Sequence, residues 1–368
     1  MFFLLLAATY GGDQLLMVHM IFRHGDRTPI ATIPSDTLNT PESWPRGLGE
    51  LTDLGALQVY NLGKLFRNRY AENKNRRYNI LSPEFQTQEL YMRSTDKSRT
   101  LMSAQAFLMG LYPVNVSALP AIWIGTGLTT QPIPVHTVQR SDDFLLSVNW
   151  DCRKYNDLYQ KIRDEPWIIE KQAENQAFLD MVRAQAGFSE KLDFSNLYKV
   201  ADPLKVQTLH PENHPWPQWA TPSVYDKIDE LMGFATKTLF PTVETQRIYT
   251  GLFLSEITNH MVQASLSSNI TLNDKRRVYL YSSHDTTMTA IMEALGVYSG
   301  RYLEYAASIT FELWQNDTDN DHIVKANATV ASNFIYSCEE LMISDFTEES
   351  DGFQIYYVNV RCYCQSMP

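Results

Sequence analysis

Residues 15–22 form an unbroken apolar and β-branched run with one histidine in it, and the run ends directly on Arg23-His24-Gly25-Asp26-Arg27-Thr28-Pro29. Apolar character without polar alternation marks a strand covered on both faces, as in a parallel sheet flanked by helices. A polar septet at the carboxyl end of such a strand stands where open α/β sheets bind their ligands. The arrangement recurs twice. Residues 89–92 read as a strand leading into Arg93-Ser94-Thr95-Asp96, with a helix over 95–111 whose N-cap is Thr95 or Ser94. Residues 278–282 read as a strand leading into His284-Asp285-Thr286-Thr287, with a helix over 286–295. Three strand-then-helix units predict α/β architecture. Parallel and adjacent strands would bring the three polar clusters to one edge.

Between these units the chain changes character. Residues 52–70 carry Leu54, Leu57, Tyr60, Leu62, Leu65 and Phe66 at helical spacing. Residues 142–245 are rich in helical patterns, at 157–186 and 223–239, around a proline-rich loop at 210–219. Strand signals there are sparse. The expected organisation is an α/β catalytic domain from 13–141 and 246–368, with a mainly helical lid inserted at 142–245.

Hydrophobic residues make up 44% of the 368 and charged residues 20%, the balance of a globular chain. Net charge is -11, which repels nucleic-acid phosphates and excludes a nucleic-acid partner. Any anion site must therefore be a local cluster of cations, built against the overall field. Residues 1–12 open with an apolar run followed by small residues, the pattern of a short signal peptide. Four Asn-X-Ser/Thr sequons, at Asn115, Asn269, Asn316 and Asn327, fit an exported glycoprotein, secreted or lysosomal. No later stretch has the length of a transmembrane helix. Four cysteines, Cys152, Cys338, Cys362 and Cys364, fit disulfides in an oxidising compartment, and their spacing does not fit a zinc site. The acidic run Asp317 to Asp321 lacks the glycine and the glutamate of a calcium loop and reads as a solvated turn. No metal or cofactor is expected.

The chemistry of the three clusters is specific. Arg23, Arg27 and Arg93 can grip the nonbridging oxygens of a phosphoryl group through paired hydrogen bonds. Phosphoryl transfer then needs a placed nucleophile, charge stabilisation and a proton for the leaving group. A neutral His24 can attack phosphorus in line and Asp285 can protonate the departing oxygen. Gly25 would let the backbone approach the phosphate, and the helix start near Thr286 adds partial positive charge. Neighbouring guanidiniums push the pKa of His24 down, which keeps it nucleophilic in acid. The same guanidiniums lower the pKa of Asp285, against its role as an acid, and a bound phosphate offsets this. Asp26 and Asp96 read as structural, holding an arginine or capping a helix. His19 reads as a core residue, and His136, His210, His214 and His260 have no cluster around them.

These motifs resemble the histidine acid phosphatases of the prostatic and lysosomal type. Besides the septet, Trp44-Pro-Arg-Gly47, Leu51-Thr-Asp-Leu-Gly55, Arg93-Ser-Thr-Asp96, Gln131-Pro-Ile-Pro-Val-His-Thr137 and Ser283-His-Asp-Thr-Thr287 carry the likeness from Leu15 to about Cys364. The resemblance implies a phosphoglycerate-mutase-like fold. It also implies acid hydrolysis of phosphate monoesters through a phosphohistidine on His24, with Asp285 as proton donor. It implies Arg23, Arg27, Arg93 and His284 as phosphate ligands, no metal, and a homodimer as a common state of relatives. It implies a Cys152–Cys362 bridge. A second family bridge has Val206 and Ser308 in its place, and the third keeps only Cys338, which is expected to pair with Cys364. Other activities on the same fold, phytase-like or phosphomutase, are the alternative, as is a secreted binding or effector protein with incidental phosphatase activity.

Overall fold

The computed structural model describes residues 13–114, 130–147, 152–266, 276–316 and 322–330, with strand segments at 334–337, 341–342, 349–350, 353–354 and 359–360. The first 12 residues, Asn115, Asn269, residues 317–321 and Cys338, Cys362 and Cys364 lie outside the described residues.

The apolar run is strand β1 (Gln14–Arg23), near the middle of a mixed nine-stranded sheet. On one side β1 pairs in parallel with β4 (Val278–Ser283), which pairs in parallel with β2 (Leu90–Thr95). The short β3 (His136–Val138) lies parallel at the far edge. On the other side β1 is antiparallel to β5 (Ser308–Gln315), and β5 to β6 (His322–Val330). The register sets Arg23 beside Ser283 and Ser94 beside Ser282, so the three parallel strands end at one level.

Helices cover both faces, which is why β1 is apolar throughout. Val18, Met20 and Phe22 pack on α1 (Asp53–Tyr70) and α2 (Ser98–Leu111). Met17 and Ile21 pack on α7 (Val243–Leu266) and α8 (Asp285–Ala294). Successive side chains of a strand point to opposite faces, so one apolar run serves both layers. The histidine in that run, His19, is fully buried and stacks on Tyr279 at 4.6 Å.

Between the two halves of the sheet, α3 (Arg153–Arg163), α4 (Pro166–Ala186), α5 (Tyr198–Leu209) and α6 (Pro222–Lys237) follow one another. Helices α4 to α6 enclose an apolar cluster of their own, including Leu179, Val182, Leu204 and Leu231. The pattern over 157–186 is two helices rather than one. Pro166 lacks an N–H and holds Glu165 in extended backbone, at ψ 135°, so the helix breaks there. A second difference lies at β2. The strand runs through Thr95, and α2 starts at Ser98 with no side-chain cap from Ser94 or Thr95. The Thr95 hydroxyl instead meets His284 Nε2 at 3.0 Å.

Two glycines let α1 approach the loop after β1. A Cβ on Gly25 would lie 2.1 Å from the Gly55 carbonyl oxygen, and a Cβ on Gly55 would lie 2.0 Å from the Asp26 oxygen. Gly25 is therefore required by the helix at its back. Thr52 caps α1 by accepting from Gly55 N–H at 3.0 Å and donates its own hydroxyl to Asp26 Oδ2 at 2.6 Å. Gly55→Ala forces loop and helix apart. It should lower unfolding free energy by about 3 kcal/mol in urea denaturation. A change within about 0.5 kcal/mol would show that the contact gives way freely.

Candidate active site

His24 is the first residue past β1, and two strands hold its backbone. Its N–H donates to Ser283 at the end of β4 (3.0 Å), and its carbonyl accepts from Ala306 N–H before β5 (3.2 Å). Ala306 stands at φ 55°, a left-handed conformation that costs a non-glycine residue about 1–2 kcal/mol. The ring is oriented as firmly. Nδ1 lies 2.8 Å from the Gly25 carbonyl oxygen, which can only accept, so Nδ1 is protonated and Nε2 holds the lone pair. Burial holds the His24 pKa well below that of a free imidazole, and Arg23, Arg27 and Arg99 lower it further.

The arginines have distinct surroundings. Arg23 is fully buried, and its Nη2 lies 2.7 Å from Asp285 Oδ2. Its guanidinium lies 4.1 Å from the ring centroid of Tyr305 and 5.1 Å from that of Tyr302. Arg27 is bound in a two-point fork to Asp202 of α5, at 2.6 and 3.1 Å, and Asp202 also accepts from Ile30 N–H at 2.8 Å. That fork joins the helical segment to the loop that carries His24.

Arg93 is not brought into this group. It lies inside β2, opposite His136 of β3, and its Nη2 makes an ion pair with the buried Asp143 at 2.5 Å. The guanidinium at the site is Arg99, in the first turn of α2. Two residues of turn and the helix start carry it round to the carboxyl edge. Burial and the charge of Arg27 lower its pKa to about 10, the mark of a cation crowded by cations.

Asp285 and His284 begin α8. Asp285 Oδ1 accepts from Thr286 N–H at 2.7 Å, and Oδ2 is ion-paired with Arg23 and accepts from the Tyr302 hydroxyl at 2.9 Å. Burial alone would raise the carboxyl pKa. Arg23, Arg27 and His284 outweigh it, and with the Tyr302 hydrogen bond they hold it down at about 2. Burial and Arg99 likewise keep His284 neutral.

His24, Arg27, Arg99, His284 and Asp285 line a cavity of about 490 Å³. Tyr159, Phe194, Tyr198 and Met232, from the helical segment, line it too, as do Lys97 and Arg140. Among the residues read as structural, Asp26 holds no arginine. Its Oδ2 takes Thr52 and His210, the latter at 2.6 Å. His210 and His214 are thus not isolated, since His214 also stacks on Trp44 at 3.6 Å. Asp202, Arg99 and Tyr302 were not singled out by sequence. Single residues inside helices and loops gave no local signal, although Arg99 stands only three residues past a recognised motif.

The family profile described as the histidine phosphatase superfamily (branch 2) matches residues 14–327. The chain belongs to that superfamily. This histidine phosphatase is 35% identical over 311 residues to the lysosomal acid phosphatase of Homo sapiens, a match covering 83% of this chain and 69% of that protein. It is 34% identical over 308 residues to the prostatic acid phosphatase of Bos taurus, covering 83% and 75%. Its fold is similar to that of a Hafnia alvei phytase solved with tartrate, with TM-score 0.62 at 17% identity over 88% of this chain and 87% of that one. It is also similar to a Bifidobacterium longum multiple inositol polyphosphate phosphatase, with TM-score 0.56 at 12% identity, over 96% and 92%.

The depressed pKa of His24 has a consequence for stability. The unfolded chain binds a proton there below about pH 6.5, while the folded histidine phosphatase resists it. Stability is therefore present above that value and is lost as pH falls towards the folded pKa. Urea denaturation of phosphate-free protein should show this decline, and His24→Asn should flatten it by up to about 1.4 kcal/mol per pH unit. An unchanged slope would mean that His24 titrates normally in the folded chain.

Proposed function

We propose that the chain hydrolyses phosphate monoesters in acid through a phosphorylated His24. The observation that supports this most directly is the ring of His24, which lines the cavity with Arg27 and Arg99 and is tied through Nδ1 to the Gly25 carbonyl so that Nε2 is the unprotonated nitrogen. In the first step Nε2 attacks phosphorus, the bond to the leaving oxygen breaks, and Asp285 gives that oxygen a proton. In the second, water attacks phosphorus, Asp285 takes the water proton, the P–N bond breaks, and inorganic phosphate leaves.

Arg27 and Arg99, with His284, are the groups proposed to hold the phosphoryl oxygens. Arg23 acts first on Asp285, with which it is paired. Arg93 is left out of the set because Asp143 holds it within the sheet. A bound phosphate dianion compensates the guanidinium field and raises the pKa of Asp285 towards the range in which it can donate. The low pKa of His24 keeps its lone pair free where an ordinary imidazole would be protonated.

The proposed setting is a lysosomal or secreted one, as the names of the acid phosphatase relatives and the sequons favour. Among the described residues no helix is long and apolar enough to cross a membrane. Glycans at Asn115, Asn269, Asn316 and Asn327 belong to the proposal, and of these Asn316 and Asn327 are half-buried, the latter inside β6. The bridges Cys152–Cys362 and Cys338–Cys364, the homodimer, and the helical segment as a lid over the cleft belong to the same proposal.

Hydrolysis of an aryl phosphate by purified protein should peak in acid, withstand chelator and vanish in His24→Ala. Arg99→Ala should lower kcat/KM at least about 100-fold, in keeping with loss of a donor to transition-state charge, and Arg93→Ala far less. Activity that survives His24→Ala would overturn the reading.

A further inference from the structure

Among the buried groups at the site that the mechanism leaves unused is the phenol of Tyr302. It lies on the loop between α8 and β5, lines the cavity and donates its hydroxyl proton to Asp285 Oδ2 at 2.9 Å. Its oxygen lies 3.4 Å from Arg23 Nη2, which donates to it and also reaches Asp285 Oδ2 at 2.7 Å. A guanidinium nitrogen, a phenol and one carboxylate oxygen thus form a closed triangle, and the direction of the phenol O–H is determined by it. The ring is held as well, 5.1 Å from the Arg23 guanidinium and 5.7 Å from Lys205 Nζ, which Glu304 anchors at 2.6 Å.

We infer that Tyr302 is a positioning residue for the proton step, holding Asp285 by Oδ2 so that Oδ1 is the oxygen that gives and takes the proton. The inference rests on the reading of Asp285 as the proton donor. A carboxylate offers about four lone-pair positions. Tyr302 occupies one on Oδ2, the Arg23 guanidinium stands 2.7 Å from the same oxygen, and Thr286 N–H occupies one on Oδ1, at 2.7 Å. A proton on Oδ2 would be pressed against that cation, so a proton bound to Asp285 sits on Oδ1.

The surrounding charges agree with a fixed donor. Asp285 is faced by Arg23 from the end of β1, by Arg27 from the loop after it, by Arg99 from α2, and by His284 and Tyr298. Tyr302 is faced by Asp202 and Lys205 of α5. Burial and the neighbouring carboxylate keep the phenol protonated far above neutral pH, so it remains a donor wherever the protein is folded. Its hydrogen bond favours the carboxylate form of Asp285, the form that follows protonation of the leaving group and that accepts the proton of water. Tyr302 thereby limits how far into neutral pH Asp285 keeps its own proton.

Tyr302→Phe tests this, because it keeps the ring and its cation contacts and removes only the hydroxyl. Two readouts are compared with the unmodified chain, after a thermal melt has verified folding. The first is a 13C titration of aspartate-labelled protein with inorganic phosphate bound, with Asp285→Asn assigning the signal. The second is the basic limb of kcat for an alkyl phosphate, which reports the substrate-bound enzyme. Loss of the hydrogen bond should move the Asp285 titration up by about one pH unit, and the basic limb should follow. An Asp285 titration that stays in place overturns the proposal. A titration that moves while the limb stays leaves Tyr302 a structural partner and overturns its role in the proton step. An unmodified chain without activity, or activity that survives His24→Ala, overturns the phosphohistidine reading instead. The titration distinguishes that failure, since it needs no turnover.

Discussion

Two guanidiniums, Arg23 and Arg27, are buried within five residues of each other at the carboxyl end of β1, and much of the molecule is arranged to hold them there. An unpaired buried cation is strongly destabilising, and breaking such a pair typically costs about 3–5 kcal/mol. Each arginine therefore has a carboxylate drawn from a distant part of the chain. Asp285 reaches Arg23 from the start of α8, and Asp202 reaches Arg27 from α5. The first pair joins two neighbouring strand ends. The second fastens the helical segment to the loop of the nucleophile. Apolar packing builds each layer, and these ion pairs set the layers' position around the cavity.

The same charges tune, in opposite senses, the two groups proposed to react. An imidazole amid cations loses its proton readily, which favours the proposed attack by His24 at acid pH. A carboxyl amid cations also loses its proton readily, which works against an acid. In the proposed reaction the phosphoryl group resolves the conflict because it brings negative charge only while it is bound. The site is thus unbalanced when empty and compensated when filled, so affinity for an anion and competence of the acid are linked. A wholly apolar pocket around Asp285 would have raised its pKa without that link. It would also have forfeited the guanidiniums proposed to hold the substrate.

The backbone makes its own contribution to precision. Gly25 and Gly55 meet without side chains between them, so the N-terminus of α1 presses on the loop that follows His24. Thr52 and Asp26 close this contact with hydrogen bonds, and His210 reaches the same carboxylate from beyond α5. The glycine that could have been taken as room for phosphate is room for a helix. Rigid support of the reacting residues matters because small displacements of a nucleophile are costly in rate.

The sequence by itself determined the parallel strands, the face-to-face burial of β1, and the placement of His24, His284 and Asp285 just beyond strand ends. Those features are local: an unbroken apolar run with a polar terminus has few ways to be buried, and strand length decides where it stops. Only the tertiary structure decided which arginines share the site. Arg93 belongs to a recognisable motif, yet the strand continues through it and Asp143 holds it within the sheet. Arg99 lies further on, where the first turn of α2 swings it to the edge. Asp202 and Tyr302 stand 175 and 279 positions from the arginines they meet, so no local pattern announces them. Their pairing is a property of how the layers close on buried charge, and such contacts exist only after the chain has folded.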